Sequence, residues 1–207
     1  LENTISAASG DKDYFDPFFR RGGTITLHPR APARWSISFQ LEEQLSAEDV
    51  VSGAESDFRP VLPVVEGTMG AVSALVRFGL PGEGRVTLEG TGGHIAERTF
   101  GSLAGTASWQ LADAGGKWLS EVTAWGGVTN PEAPAQTLYL IGGRMTLPGH
   151  DYRSFAGQAY WLVRAEGTIP IRPPYLGLRG FAAVGATYLG DASLPTGWPA
   201  RDSRGPR

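Results

Sequence analysis

The sequence has 207 residues, no cysteine, 29 glycines and 15 prolines, and a formal net charge of −3 at pH 7. This small negative charge argues against a nucleic-acid binder, and without cysteine neither a disulfide framework nor a thiolate metal site can form. No apolar run approaches the roughly 18–20 residues that a membrane-spanning helix needs. The chain starts at a leucine without a signal peptide, so we expect a segment of a longer protein or a mature chain.

The first part of the chain predicts a pair of strands. Residues 1–18 are polar with an aromatic cluster and are predicted to be a loop. Residues 22–30 and 34–42 follow, joined by a turn that contains two prolines, and the second run alternates strictly between polar and apolar residues. Such alternation is typical of a strand with one apolar and one polar face. Two runs of this kind around a short turn predict a hairpin.

Residues 44–66 show no sustained period and are predicted to be a long loop. Strand-like runs then resume, separated by short turns rich in Gly, Pro, Asn or Asp. These predicted strands are 67–80, 85–90, 99–112, 117–128, 136–147, 159–171 and 175–189. The chain thus predicts about nine strands without a helix, and because successive strands usually neighbour each other, an antiparallel up-and-down sheet is the simplest topology.

The lengths of the runs and the positions of the aromatic residues favour a membrane barrel. Runs of ~9–14 residues exceed the average of ~5–6 in soluble domains and match the ~9–11 with which a tilted strand crosses a bilayer. Aromatic residues near strand ends are typical of interfacial girdles. The candidates are Trp35, Trp109, Trp118, Trp125, Tyr139, Tyr160, Trp161 and Tyr188. A soluble β-sandwich or a lipocalin-like barrel shows the same alternation and stays an open alternative.

No constellation of catalytic residues is apparent in the sequence. It contains no nucleophile elbow, phosphate-binding loop or HExxH motif. The three histidines, His28, His94 and His150, are widely separated. We therefore predict a non-enzymatic protein with no catalytic residues, no metal site and no cofactor, whose functional residues lie in the loop within 141–171 and in the strands that this loop would contact.

Residues 141–171 carry the most specific motif in the chain. A pair of glycines closes an apolar run, a loop rich in Gly, Pro, His, Asp and Ser follows, and an alternating strand with Arg164 and Glu166 on its polar face completes the stretch. Over roughly 138–188 this pattern resembles the bacterial surface antigen family, the outer-membrane β-barrels of the BamA/TamA assembly-factor superfamily. The matching residues are Gly142, Gly143, Thr146, Leu147, Gly149, Ser154, Phe155, Ala156, Gly157, Ala165, Glu166 and Pro170, continuing into 181–185.

The resemblance implies an all-β fold, an antiparallel up-and-down transmembrane barrel of about sixteen strands. This chain, a single domain over 1–207, would hold an incomplete part of it, with 144–158 as a loop inserted into the lumen and 190–207 as a polar loop. The resemblance also implies the outer membrane of a Gram-negative-type bacterium, with the lipid bilayer and unfolded client polypeptides as partners. The implied role is protein assembly or translocation, gated by the inserted loop.

Two other functions stay open at this point. The barrel could anchor a separate enzymatic passenger, such as a patatin-like or phosphoesterase domain, as some relatives of this barrel do by resemblance. The chain could instead be a soluble β-rich binding module. The sequence that precedes this chain would distinguish the first alternative, because repeated α/β modules favour assembly and a hydrolase motif favours anchoring. The second alternative would be distinguished from a membrane barrel by its behaviour on extraction, since a soluble module needs no detergent.

In the family that the chain resembles, an arginine of the loop motif pairs with an aspartate on the inner wall. This chain has Pro148 and Ala183 at those two positions, and losing both partners strands no buried charge. The predicted loop motif is Gly142, Gly143, Leu147, Gly149, Arg153, Phe155 and Gly157, and the predicted wall partners are Arg164, Glu166 and Arg179. We expect Arg153 or Arg144 to pair with Glu166 in place of the missing contact; otherwise both are solvent-exposed loop charges.

Overall fold

The structure, a computed structural model, describes residues 18–30, 34–46, 62–112, 118–172 and 175–190. Eight strands form one antiparallel sheet in up-and-down order, and two short strands form a separate hairpin. The strands are β1 (Phe18–Leu27), β2 (Trp35–Ser46), β3 (Gly67–Leu80), β4 (Gly84–Ile95), β5 (Arg98–Ala112), β6 (Leu119–Thr129), β7 (Tyr139–Ile141), β8 (Phe155–Gly157), β9 (Ala159–Arg172) and β10 (Leu176–Tyr188). The predicted all-β antiparallel fold is confirmed, but the sheet is not closed, because β1 and β10 lie at its two edges.

The predicted strand over residues 136–147 is wrong. A short 3-10 turn (Ala135–Thr137) precedes β7, and β7 pairs with β8 instead of joining the main sheet. Gly142 and Gly143 then take φ values of 128° and 85°, which a regular strand of L-residues does not adopt. Consequently β6 pairs directly with β9, and residues 130–158, called the inserted segment below, leave the sheet.

The strand register gives the sheet one apolar face. Phe39 of β2 lies opposite Val72 of β3, and Leu103 of β5 lies opposite Val128 of β6. These side chains are not covered by a second layer in the described part of the chain, since Phe39 is 47% and Leu103 57% exposed. Other large exposed residues of this face are Ile25, Leu41, Val76, Leu88, Trp161 and Val184.

The opposite face is polar and carries mainly Ser, Thr, Gln, Glu and Arg. Hydroxyl pairs connect neighbouring strands across it: Thr26 and Ser38 lie 3.0 Å apart, and Ser73 and Thr91 lie 2.8 Å apart. Such cross-strand hydrogen bonds stabilise a sheet without any apolar packing. The alternation of residues along each strand therefore gives the sheet one apolar face and one polar face, as predicted.

Buried residues lie on the polar side, where the inserted segment and residues 62–66 cover one end of the sheet. One cluster consists of Met69, Ala71, Ile95 and Phe100, with Val65 and Ala133 packed against it. Another consists of Ile141, Leu147 and Leu162, with Trp125, Phe155, Tyr160 and Ala183 packed against it. The core of the described chain is thus formed between the sheet and its own connections.

The connections differ between the two ends of the sheet. At the end called the turn end, strands are joined by residues 28–34, 81–83, 113–118 and 173–175. At the other, the loop end, the connections are residues 47–66, the two-residue turn 96–97 and the inserted segment. The long connections therefore gather at one end, which is the end where the polar face is covered.

The predicted aromatic girdle is wrong for three residues. Trp125 and Tyr160 lie on the polar face, and the ring of Tyr139 packs 4.6 Å from that of Tyr160. Trp161 and Tyr188 instead belong to the apolar face, where they are 49% and 70% exposed. Whether an aromatic residue lies on the polar or the apolar face depends on its odd or even position in the strand, because adjacent strand residues such as Tyr160 and Trp161 point to opposite faces.

Candidate functional site

The inserted segment folds into a compact loop around its pair of glycines. The Gly142 N–H donates to Thr146 Oγ1 at 2.8 Å, and that hydroxyl donates back to the Gly142 carbonyl at 2.8 Å. The Gly143 N–H donates to the His150 carbonyl at 3.2 Å. A Cβ on Gly142 would lie 2.7 Å from Ser154 Oγ, closer than the loop permits. Both the positive φ and the lack of space therefore require glycine here.

Replacing Gly142 with alanine should loosen the loop. We expect the free energy of unfolding to fall by about 1–3 kcal/mol, because alanine at this φ is strained and its methyl group meets Ser154. Chemical denaturation of the variant gives the value. Gly92→Ala is the matched control, since a Cβ there meets nothing within 4 Å; equal losses in both variants would contradict the assignment.

Arg164 on β9 ties the inserted segment to the sheet. Its Nη1 donates to the carbonyls of Arg144 at 2.9 Å and Met145 at 3.0 Å. Its Nε lies 2.5 Å from Glu166 Oε1, as an ion pair without hydrogen-bond alignment. Only 8% of Arg164 is exposed. A buried guanidinium thus joins β9 to two loop carbonyls by charge-assisted hydrogen bonds.

Glu166 is shared by two arginines of the sheet. Arg179 of β10 pairs with Glu166 Oε2, and Arg164 pairs with Oε1. The expectation that a loop arginine would pair with Glu166 is therefore corrected. Arg144 contributes its backbone carbonyl, and the Arg153 guanidinium lies 5.3 Å from the ring centroid of the preceding tyrosine. We expected the loop to supply the cation. Instead β9 supplies it, as Arg164, and the loop supplies two neutral backbone carbonyls as acceptors.

Ala183, the position at which the resemblance led us to look for an acid, lies directly beside this contact. Ala183 of β10 is the cross-strand partner of Arg164 and packs at the cluster that contains Leu147 and Leu162. Leu147 is 8% and Leu162 2% exposed, so the loop motif inserts an apolar side chain between the loop and the sheet. The charge that contacts the loop thus lies on β9, at Arg164, and the neighbouring position on β10 is apolar.

A second set of hydrogen bonds, which the sequence analysis missed, anchors the inserted segment to β2. Gln136 donates from Nε2 to Gln44 Oε1 at 3.1 Å and to the Val65 carbonyl at 3.0 Å, and accepts from the Val65 N–H at 3.1 Å. Gln44 Nε2 donates to Glu42 Oε1 at 2.6 Å, and Arg20 pairs with Glu42 at 2.8 Å. Because Gln44 and Glu42 are buried and satisfied, this network fixes the segment against the far side of the sheet.

The alternation of β2 contained a signal for this network. Gln40, Glu42 and Gln44 share one parity, and a carboxylate between two amides on one face predicts mutual hydrogen bonding. The Gln40 amide indeed donates to Glu42 at 2.7 Å. The connection to Gln136 carried no sequence signal, because it joins positions that only the fold brings together.

The other predicted motif residues take part in the loop in different ways. Gly149 has a φ of 91° with open space around it, so only its conformation requires glycine. The Phe155 ring packs edge-on against that of His150, with centroids 5.1 Å apart. At Gly157 a Cβ would lie 2.7 Å from the Cβ of Thr187, which shows how closely β8 approaches β10.

Beside Arg164 lies a pocket of about 400 Å³. Its lining residues are Glu121, Thr123, Trp125, Arg144, Met145, Arg164, Glu166 and Arg179. The pocket holds the ion pairs of Glu166 and a long hydrogen bond from Thr123 Oγ1 to Glu121 Oε1 at 3.5 Å. No group of three or more metal-ligating side chains occurs among the residues described. This chemistry is suited to holding a loop in place.

No protein-family model matches the chain, and no curated protein matches it either. Within the described ranges, no helix is long and apolar enough to cross a membrane. The family resemblance therefore stays a prediction, and the features that bear on function are the two faces of the sheet and the anchored inserted segment.

Proposed function

We propose that this chain is the membrane-embedded part of an outer-membrane β-barrel of a Gram-negative-type bacterium, and that it acts without catalysis in protein assembly or translocation. The observation that carries the proposal is the contrast between the two faces of the sheet. The apolar face is exposed across the whole sheet, whereas the polar face is covered at the loop end by the inserted segment.

The apolar face supports contact with lipid. Soluble monomers rarely expose contiguous apolar patches larger than a few hundred Å². Here large apolar side chains such as Phe39, Val72, Leu103 and Val184 are each between 46% and 57% exposed, and they lie on strands from β2 to β10. A bilayer would cover this surface, as it covers the outward face of membrane barrels.

The strand lengths and the two ends support the same assignment. The main strands run from 10 residues in β1 to 15 in β5, enough for the ~9–11 residues of a tilted membrane-spanning strand. Outer-membrane barrels join their strands by short turns at one end and by longer loops at the other. The two longest connections of this sheet, residues 47–66 and 130–158, both lie at the loop end, in agreement with that rule, although the short turn 96–97 lies there too.

The inserted segment supports a gated lumen. It is anchored to β9 through Arg164 and to β2 through Gln136, so it spans the polar face between strands far apart in the sheet. A segment held by a few hydrogen bonds and by apolar contacts such as that of Leu147 with Leu162, without a covalent link beyond its two ends, can be released as a unit. In the proposed mechanism its release opens the lumen. The edge strands β1 and β10, each of which pairs on one side only within the described residues, then offer backbone groups to an extended client strand.

The membrane part of the proposal is tested by flotation of the purified chain with phosphatidylcholine vesicles. We expect the chain to require detergent in solution, to float with the vesicles, and to keep a strand-rich circular dichroism spectrum there. A chain that is folded and monomeric in buffer without detergent, and that does not float, would be a soluble β-rich binding module instead.

A further inference from the structure

Three arginines lie together on the polar face at the turn end, away from the inserted segment. Arg34 immediately precedes β2 and continues its ladder with β3, since the Arg77 N–H donates to the Arg34 carbonyl at 2.7 Å. Arg85 of β4 opposes Gly79, two residues beyond Arg77 on β3. Arg34 and Arg77 are therefore direct cross-strand neighbours, and Arg85 is diagonal to Arg77.

This arrangement carries a cost in electrostatic free energy. Directly opposite residues have Cβ atoms about 4.5–5.5 Å apart, and like charges at such positions are destabilising. In the part of the chain that the structure describes, no ion pair joins any of the three arginines to an acid. Glu89, the acid on the same face of β4, lies four residues beyond Arg85. The positive charge of the cluster is thus uncompensated by the sheet itself.

The three arginines also line one pocket of about 280 Å³, together with Phe78 and Gly79. Gly79 has nothing within 4 Å of the position of a Cβ, so open space separates Arg77 from Arg85. All three arginines are exposed. The guanidinium group keeps its charge at any physiological pH and presents a planar fork of donors that matches phosphate oxygens.

We propose that Arg34, Arg77 and Arg85 form a binding site for a multiply charged oxyanion of the phosphate type. Such a ligand would supply the negative charge that the cluster lacks, and several acceptor oxygens within reach of three adjacent strands. The ladder from Arg85 runs through Ser108 and Thr123 to Arg164. The site therefore shares a face, lined with hydroxyl groups, with the contact that holds the inserted segment.

The experiment is a calorimetric titration of the full-length chain with inorganic pyrophosphate at low ionic strength, in detergent solution. We expect saturable binding, and Arg77→Ala should weaken it at least about tenfold because it removes the central charge-assisted contact. Arg98→Ala is the matched control, since Arg98 is an exposed arginine of β5 at the loop end. It should leave the affinity unchanged.

Thermal unfolding gives a second readout that does not depend on the heat of binding. Pyrophosphate should raise the melting temperature of the unmodified chain but not that of Arg77→Ala, which should by itself melt higher at low salt because one repulsive pair is gone. Equal binding by the unmodified chain and Arg77→Ala, or an equal loss in Arg98→Ala, would overturn the proposal.

Two sources of phosphate can be separated by comparing free pyrophosphate with phosphatidylcholine vesicles that contain or lack phosphatidic acid. Binding of pyrophosphate that Arg77→Ala abolishes supports a soluble ligand, whereas dependence on phosphatidic acid that Arg77→Ala abolishes supports a lipid headgroup. Since the titration needs no membrane, pyrophosphate binding by a chain that fails to float with vesicles would overturn the proposed function and leave the anion site standing.

Discussion

Replacing Arg164 with alanine is expected to release the inserted segment from β9 and to lower the free energy of unfolding by about 3 kcal/mol. The change removes a guanidinium that is only 8% exposed, leaves the carbonyls of Arg144 and Met145 without their donor, and leaves Glu166 with Arg179 alone. The two lost hydrogen bonds, each donated by a charged group, account for much of the loss. Chemical denaturation measures the free energy, and the rate of tryptic cleavage after Arg144 and Arg153 reports release of the loop.

Arg179→Ala is the control for this result, because Arg179 pairs with the same carboxylate. Its side chain is 63% exposed, so the pair is screened by water and its loss should cost less than about 1 kcal/mol. Cleavage of the inserted segment should stay as slow as in the unmodified chain. If Arg164→Ala kept that protection, or if both variants lost it equally, Arg164 would not be the anchor.

Replacing Val72 with arginine is expected to destabilise the vesicle-inserted chain by about 2–4 kcal/mol, the cost of a cation near the middle of the lipid-facing surface of a barrel. Val72 lies in the central part of β3 on the apolar face and is 46% exposed. In a soluble protein an exposed valine would accept arginine within about 0.5 kcal/mol. Unfolding by urea in phosphatidylcholine vesicles, followed by tryptophan fluorescence, separates the two cases.

Ser73→Arg is the matched control, one residue along the same strand and on the opposite face. It loses the hydroxyl contact with Thr91 and should cost only about 1 kcal/mol. If Val72→Arg lowers the free energy of unfolding no more than Ser73→Arg does, the apolar face does not contact lipid. That face would then contact water or another protein.

Much of the fold follows from local alternation. Residues 67–80 were predicted and observed as one strand, and the faces of β2 and β5 follow from the parity of their side chains. The run over 136–147 failed because a short apolar stretch does not reveal whether it joins a sheet or packs on one. Only the backbone at Gly142 and Gly143, with positive φ at both, shows that the chain turns out of the sheet there.

The sequence predicted which residues of the sheet form the candidate site, but not which groups they contact. The strand parity that placed Arg164, Glu166 and Arg179 on one face is a local property, and the structure brings the three together. Which group reaches the loop depends on the β9–β10 register and on the path of the loop, which bring carbonyls of Arg144 and Met145 to Arg164. Every residue has a backbone carbonyl, so residue types alone do not predict which carbonyls of a loop will accept a hydrogen bond from the sheet.

The open edges have one more consequence, which concerns how the sheet can be completed. With eight strands in alternating directions, β1 and β10 run opposite to each other. Joining them directly would make an eight-stranded cylinder, whose interior is filled by side chains or holds one small ligand, and this is too little space for all of residues 130–158. Any wider cylinder that is antiparallel at every seam must add strands in pairs, whichever molecule supplies them.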